Sequence, residues 1–170
     1  MQISLYDDLR VANIVAKVGR WNEVDVLYFA DSLGNMNPTS VANIVNIIKS
    51  RSDLEIGFHA HNNMGLALAN CNSAIQLGVS WIDATIQGMG RGAGNLATEI
   101  LLADLSSDCS QKYKTNEVNY LALGEFSKLK AFHLWGHNFL YHLGAKLNIH
   151  PTYIQNILTQ HRNDKKVLIK

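Results

Sequence analysis

Two histidines, His59 and His61, stand two positions apart in the stretch GFHAHNNMG, and two asparagines follow them at once. In a strand, residues i and i+2 face the same way, so both imidazoles would project side by side. Two imidazoles so placed can share one divalent ion. The plainer alternative packs one ring in the core and solvates the other. A second stretch with chemical potential is GMGRGAGN, Gly88 to Asn95, with four glycines in eight residues. Glycine lets backbone approach a ligand closely and take positive φ, so Gly90, Arg91 and Gly92 are candidates for binding substrate. Arg91 could grip a carboxylate through both ends of its guanidinium, or it could simply be solvated. Asn95 offers an amide oxygen either to a metal or to the helix that follows. The loop has neither the GxGxxG pattern nor the lysine of a phosphate-binding loop, which disfavours a nucleotide.

These residues need elements to hold them. VDVLYFA, from Val24, is a short β-branched and aromatic run ending in the turn formers DSLGNMNP, which predicts a buried strand feeding a loop that contains Asp31. Asn37 then caps a helix with Pro38 at its first position, and Val41, Ile44, Val45 and Ile48 recur at helical spacing. The unit repeats: Glu55 to His61 is predicted as a strand, Leu66 to Leu77 as a helix closed by Gly78, and Trp81 to Ile86 as a third strand. A helix through Ala97, Ile100, Leu101 and Leu105 follows the glycine loop. Strands alternating with helices indicate a parallel α/β sheet, whose ligand site lies beyond the carboxyl ends of the strands. His59, His61, Asp31 and the glycine loop all fall there.

Beyond about Ser107 the pattern becomes helical, with helices predicted at Tyr120 to Phe132, Leu134 to Leu147 and Pro151 to Leu158. This divides the chain into residues 1–107, α/β, and 108–170, a helical region. Asp8 to Gly19 also reads as a helix, and MQISL before it as the end of a strand.

Composition bounds the reading. The 170 residues are 47% hydrophobic and 17% charged, with a formal net charge of +1, which suits a globular protein and gives no electrostatic footprint for nucleic acid or an anionic membrane. No apolar run is long enough for a membrane span. Cys71 and Cys109 lack CxxC spacing, and with no signal-like start they read as reduced thiols in a cytoplasmic protein.

Taken together, FADSLGNMNP, GFHAHNNMGLALAN and DATIQGMGRGAGNLATE resemble, in order and spacing, the metal-dependent aldolase and acyltransferase barrels. That superfamily includes 4-hydroxy-2-oxovalerate aldolase, 3-hydroxy-3-methylglutaryl-CoA lyase and isopropylmalate synthase. The resemblance implies a (β/α)8 barrel of which this chain carries about strands five to eight, followed by a C-terminal helical appendage. It implies that His59 and His61 bind a divalent metal, Mn²⁺ or Mg²⁺, with Asn95 approaching the same ion. It also implies an aspartate ligand on the first strand, which this sequence does not contain. The expected partners are therefore a separate N-terminal half-barrel or a second copy of the chain, and an aldehyde dehydrogenase as in some relatives. No cysteine lies between Gly88 and Asn95, and LWGHNFLYHLGAKLNIHPTYIQNIL is similar to the C-terminal helices of the oxovalerate aldolases. Both features favour the aldolase branch: cleavage of a 4-hydroxy-2-oxo acid to pyruvate and an aldehyde, with an ion chelating the keto and carboxylate oxygens. The alternatives are a Claisen-type acyl-CoA lyase or synthase, and a non-catalytic half-barrel. Tyr141 and Tyr153 are candidates for a substrate-side tyrosine, and neither falls on a motif that assigns the role.

Overall fold

The Asn37 side chain accepts a hydrogen bond from the Ser40 amide, and Pro38 starts the helix that follows. This local chemistry sets the first of the strand-to-helix turns. The computed structural model describes residues 2–105 and 113–160. In chain order they form α1 (Asp8–Val18), β1 (Val26–Asp31), α2 (Pro38–Lys49), β2 (Glu55–Ala60), α3 (Ala67–Gln76), β3 (Trp81–Asp83) and α4 (Thr98–Asp104). The helices α5 (Thr115–Leu123), α6 (Glu125–His133), α7 (Phe139–Lys146) and α8 (Pro151–Gln160) follow.

The three strands make one parallel sheet in the order β1-β2-β3. Alternation along the strands sends Phe29, Ile56, Phe58 and Ala60 into the core with Val41, Val45 and Ile48 of α2 and Cys71 and Ala74 of α3. Phe29 and Phe58 stack with ring centroids 4.5 Å apart. Burying one such side chain contributes about 1.5–3 kcal/mol, so this face holds the sheet to its helices. On the other face Tyr28 and Trp81 are about half exposed. Gly78, at φ +82, closes α3 in the left-handed conformation that glycine adopts without strain.

Four expectations are corrected. MQISL is not a strand end: Ile3–Leu5 is a 3-10 turn. Gln2 sits at φ 56, ψ 38, which breaks an extended path, and its amide donates to Ser32 Oγ at 3.0 Å. The third strand stops at Asp83 instead of Ile86, because Thr85 turns to bond Leu96 and a 3-10 turn occupies Ile86–Gly88. The predicted helix Tyr120 to Phe132 is two helices, divided at Gly124. The helix predicted from Leu134 begins at Phe139, since Leu134 takes a left-handed conformation, Gly136 has φ 130, and Asn138 caps the helix through the Leu140 amide. The boundary expected between residues 107 and 108 lies outside the described residues.

Among the described residues, no helix is long and apolar enough to cross a membrane. Cys71 is fully buried, and burial above all, with the Asp83 charge second, pushes its thiol up to about 12. Iodoacetamide at about pH 8 should therefore leave Cys71 unmodified in the native protein and label it in denaturant. Peptide mapping by mass spectrometry checks this, and rapid native labelling would contradict the packing. Cys109 lies outside the described residues.

Candidate metal centre

His59 is the penultimate residue of β2 and His61 follows the strand directly. Their ring centroids lie 5.0 Å apart at an interplanar angle of 74°. The two-residue spacing thus places both imidazoles together at the carboxyl end of the sheet. His61 forms an isolated antiparallel bridge with Asn95, which brings the end of the glycine loop beside the histidines.

The polar atoms here are unevenly satisfied. His59 Nδ1 is 3.0 Å from Asp83 Oδ2. His61 Nδ1 and Asn95 Oδ1 are both buried with no hydrogen-bond partner. The Asn95 amide nitrogen donates to the Met89 carbonyl at 3.1 Å, which fixes the amide and leaves its oxygen unpaired. A buried unpaired polar atom costs about 1–3 kcal/mol, so two at one site call for an explanation. Burial, helped by the nearby His59, Arg91 and His150, pulls the His61 pKa down to about 4. The ring is therefore neutral at pH 7 and has a lone pair ready for a cation.

Two imidazole nitrogens and an amide oxygen form a mixed N/O donor set, which fits a divalent ion such as Mn²⁺ or Mg²⁺. None of the three donors carries a negative charge. No group of three His, Cys, Asp or Glu side chains that could hold a metal occurs among the described residues.

Asp31 has a different task. It is fully buried at the end of β1, and its carboxylate accepts from the amides of Asn35 and Met36, both at 3.1 Å. Burial raises its pKa to about 6 against the pull of those amides. In metal-free protein Asp31 and His61 oppose each other. Ionising Asp31 costs the fold, so its contribution falls as pH climbs from 3.8 to about 6. Protonating His61 also costs the fold, so its contribution falls as pH drops from 6.5 to about 4. Each shift is worth roughly 3 kcal/mol. The melting temperature with chelator present should stay nearly flat between about pH 4 and 6, and His61→Ala should make it rise on acidification. A variant whose Tm still fails to rise would contradict this balance.

The glycine loop is shaped by its own protein. A Cβ on Gly90 would come within 2.7 Å of Asn95 Nδ2, and one on Gly92, at φ +65, within 2.6 Å of Asn63 Oδ1 and 3.0 Å of Pro151. The spaces that Gly90 and Gly92 leave open are thus filled by Asn95, Asn63 and Pro151. Arg91 is exposed, and its charge acts on His61. Gly90 and Gly92 also line a cavity of about 670 Å³ whose far wall comes from α6, α7, α8 and the turn between α6 and α7, including Trp135 in that turn and Tyr141. Tyr141 is buried, whereas Tyr153 is 67% exposed.

Several positioning residues carried no sequence motif of their own. Asn63, almost fully buried, donates to the Leu33 carbonyl at 3.0 Å and accepts from the Ala93 amide at 2.9 Å, tying the loop after β1 to the glycine loop. The Asn62 amide donates to the Gly94 carbonyl at 2.8 Å. Asn35 Nδ2 donates to Asn148 Oδ1 at 2.7 Å, joining the loop after β1 to the segment before α8. Gln87, held at φ 55, accepts from Trp135 Nε1 and Lys130 Nζ and donates to the Ala122 carbonyl, so the helical region hangs on the start of the glycine loop. The one available signal was the asparagine pair directly after the histidines.

The structure is an α/β protein whose parallel sheet gathers two imidazoles and an amide at the carboxyl ends of its strands, where ligands of such folds commonly bind. Residues 2–125 match the HMGL-like family, and the chain belongs to it. Among curated proteins it is similar to 4-hydroxy-2-oxovalerate aldolase from Geobacillus genomosp. 3, 49% identical over 82 residues, covering 48% of this chain and 24% of the relative. The enzyme of the same name from Carboxydothermus hydrogenoformans is 45% identical over 82 residues, again 24% of its length. The match thus spans about a quarter of these relatives (24%). Among solved structures, the N-terminal domain of a candidate aldolase from Bacteroides vulgatus aligns with a TM-score of 0.77 and 33% identity, over 85% of this chain and 48% of that one. The carboxyl transferase domain of Rhizobium etli pyruvate carboxylase with 3-hydroxypyruvate shares the fold, with a TM-score of 0.74 at 16% identity over 93% of this chain and 27% of that one.

Proposed function

We propose that this chain is the metal-holding part of a divalent-metal-dependent aldolase that cleaves a 4-hydroxy-2-oxo acid to pyruvate and an aldehyde. The observation that carries it is the pair of buried, unpartnered acceptors, His61 Nδ1 and Asn95 Oδ1, beside His59. The similarity to 4-hydroxy-2-oxovalerate aldolases supports the choice of substrate. In this reading β1, β2 and β3 take the sixth, seventh and eighth places of a (β/α)8 barrel. His59, His61 and Asn95 hold Mn²⁺ or Mg²⁺, which when bound supplies Lewis acidity to the keto oxygen.

The rest follows from this chain's own residues. The neutral His61 ring gives up no proton on accepting a cation. Arg91, exposed on the glycine loop, faces the substrate carboxylate, for which its planar fork is suited. The asparagine ties keep the three donors at fixed separation, so little ordering remains to be done when the ligand arrives. Three donors without negative charge leave the charge of the ion uncompensated, so an acidic ligand comes from an N-terminal half-barrel. The chain alone is accordingly a weak Mn²⁺ binder without turnover.

The test mixes the 170-residue protein with a polypeptide spanning the N-terminal half-barrel of a 4-hydroxy-2-oxovalerate aldolase, adds Mn²⁺, and follows pyruvate release by coupled lactate dehydrogenase. Pyruvate from the pair and none from either half is the expected result. A stable, Mn²⁺-binding complex that cleaves no 4-hydroxy-2-oxo acid would overturn the aldolase reading, and cleavage of a CoA thioester by that complex would replace it with an acyl-CoA lyase.

A further inference from the structure

Asp83 has no part in the donor set described above, yet it is the acid nearest to one of the donors. The β2–β3 register pairs His59 with Asp83, and the carboxylate Oδ2 lies 3.0 Å from His59 Nδ1. Both side chains are partly open, at 32% for His59 and 47% for Asp83. At such exposure an isolated ion pair contributes little to stability, about 0–1 kcal/mol. This carboxylate is nevertheless approached from a second side. Burial first, and then the charge of Asp83, raise the pKa of Tyr28, whose phenol reaches toward the carboxylate from β1, two strands away. That reach is possible because the intervening residue is Gly57, the register partner of Tyr28. A Cβ there would lie 2.5 Å from Tyr28 Cε2 and Cζ, so the phenol ring lies flat across β2. Tyr28, His59 and Asp83 thus contribute one side chain from each strand to a single row, joined by the His59–Asp83 hydrogen bond, and a residue without a side chain gives the phenol passage.

We propose that Asp83, steadied by Tyr28 lying over Gly57, is a positioning residue that commits His59 Nδ1–H to its carboxylate and so leaves Nε2 as the lone pair offered to the ion. The proposal rests on the metal reading above for its purpose, though not for its geometry. Which ring nitrogen of a histidine carries the proton is set by the hydrogen bond the other makes, and outer partners of this kind commonly change metal affinity by about 10–100-fold. The row also separates the two histidines by role: Asp83 orients His59, whereas burial, helped by nearby positive charge, keeps His61 neutral.

Two measurements on the full chain test it. In metal-free protein with ¹⁵N-labelled imidazoles, long-range ¹H–¹⁵N spectra should show His59 as the Nδ1–H tautomer, and Asp83→Ala should shift it toward Nε2–H. Titration with Mn²⁺, followed by the EPR signal of the free ion, should show about 10–100-fold weaker binding for Asp83→Ala and a smaller loss for Tyr28→Phe. Asp83→Asn, which keeps an acceptor of the same shape, should recover the tautomer and part of the affinity. An unchanged tautomer and unchanged affinity in Asp83→Ala would overturn the positioning role. If that variant loses its circular dichroism, Tyr28→Phe and Asp83→Asn decide, and wild-type affinity in both would overturn it equally. Wild-type protein that holds the Nδ1–H tautomer but binds no Mn²⁺ even with its N-terminal half would sink the metal reading and leave the row standing.

Discussion

His61→Ala is expected to weaken Mn²⁺ binding by more than about tenfold and to abolish pyruvate release from the reconstituted pair, while leaving the two halves associated. The loss is large because His61 brings what the other donors do not, a buried ring that is already neutral at pH 7. Its own fold should survive the change. His61 Nδ1 is an unsatisfied buried atom in the metal-free chain, so removing the ring relieves a polar burial cost that offsets part of the lost packing. Calorimetric titration with Mn²⁺ and a thermal melt with chelator present separate these effects. Wild-type Mn²⁺ affinity in His61→Ala would place the ion elsewhere.

The second large effect concerns the glycine loop. Gly94 has φ +87, and a Cβ on it would fall 2.0 Å from the Gly88 carbonyl oxygen, a backbone atom with no room to retreat. The same carbonyl accepts the Asn95 amide at 3.0 Å, so relieving the clash pulls the loop apart at the residue that faces His61. Gly94→Ala should destabilise the protein on the order of 3 kcal/mol or more. Gly65→Ala is the control: Gly65 also has positive φ, at +75, but nothing lies within 4 Å of its added Cβ. It should cost about 1 kcal/mol, the conformational term alone. Urea midpoints for the two variants measure the difference, and equal midpoints would show that the close approach of Gly88 and Gly94 is not a constraint.

What was legible in the sequence was what local rules write. The cap at Asn37, the helical spacing of Val41 to Ile48 and the alternation through Phe58 and Ala60 placed the β1-α2-β2-α3 unit within a residue or two of its observed ends. The shared face of His59 and His61 follows from strand geometry alone. The helical region was read less well, because its breaks are made by contacts from elsewhere. Trp135 reaches the Gln87 carbonyl, and the left-handed turn at Leu134 is what lets it do so. Periodicity has no means of seeing that. Asp83 and Tyr28 were missed for a related reason: each is an ordinary strand residue until the register sets them in one row with His59. Asn63 was in plain view beside the histidines, yet its two partners, Leu33 and Ala93, are each 30 residues away in sequence.

The ties that set the shape of the candidate site, Asn35 to Asn148, Asn62 to Gly94, Asn63 to Leu33 and Ala93, and Asn95 to Met89, are made by amides and backbone and carry no net charge. Dissolved ions screen charges and leave such dipole contacts almost untouched. The scaffold should therefore keep its dimensions from dilute buffer to molar salt. If Arg91 draws in an anionic substrate as proposed above, a loss of performance as ionic strength rises would report on that long-range attraction, and a simple salt series would read the capture step apart from the framework that receives it.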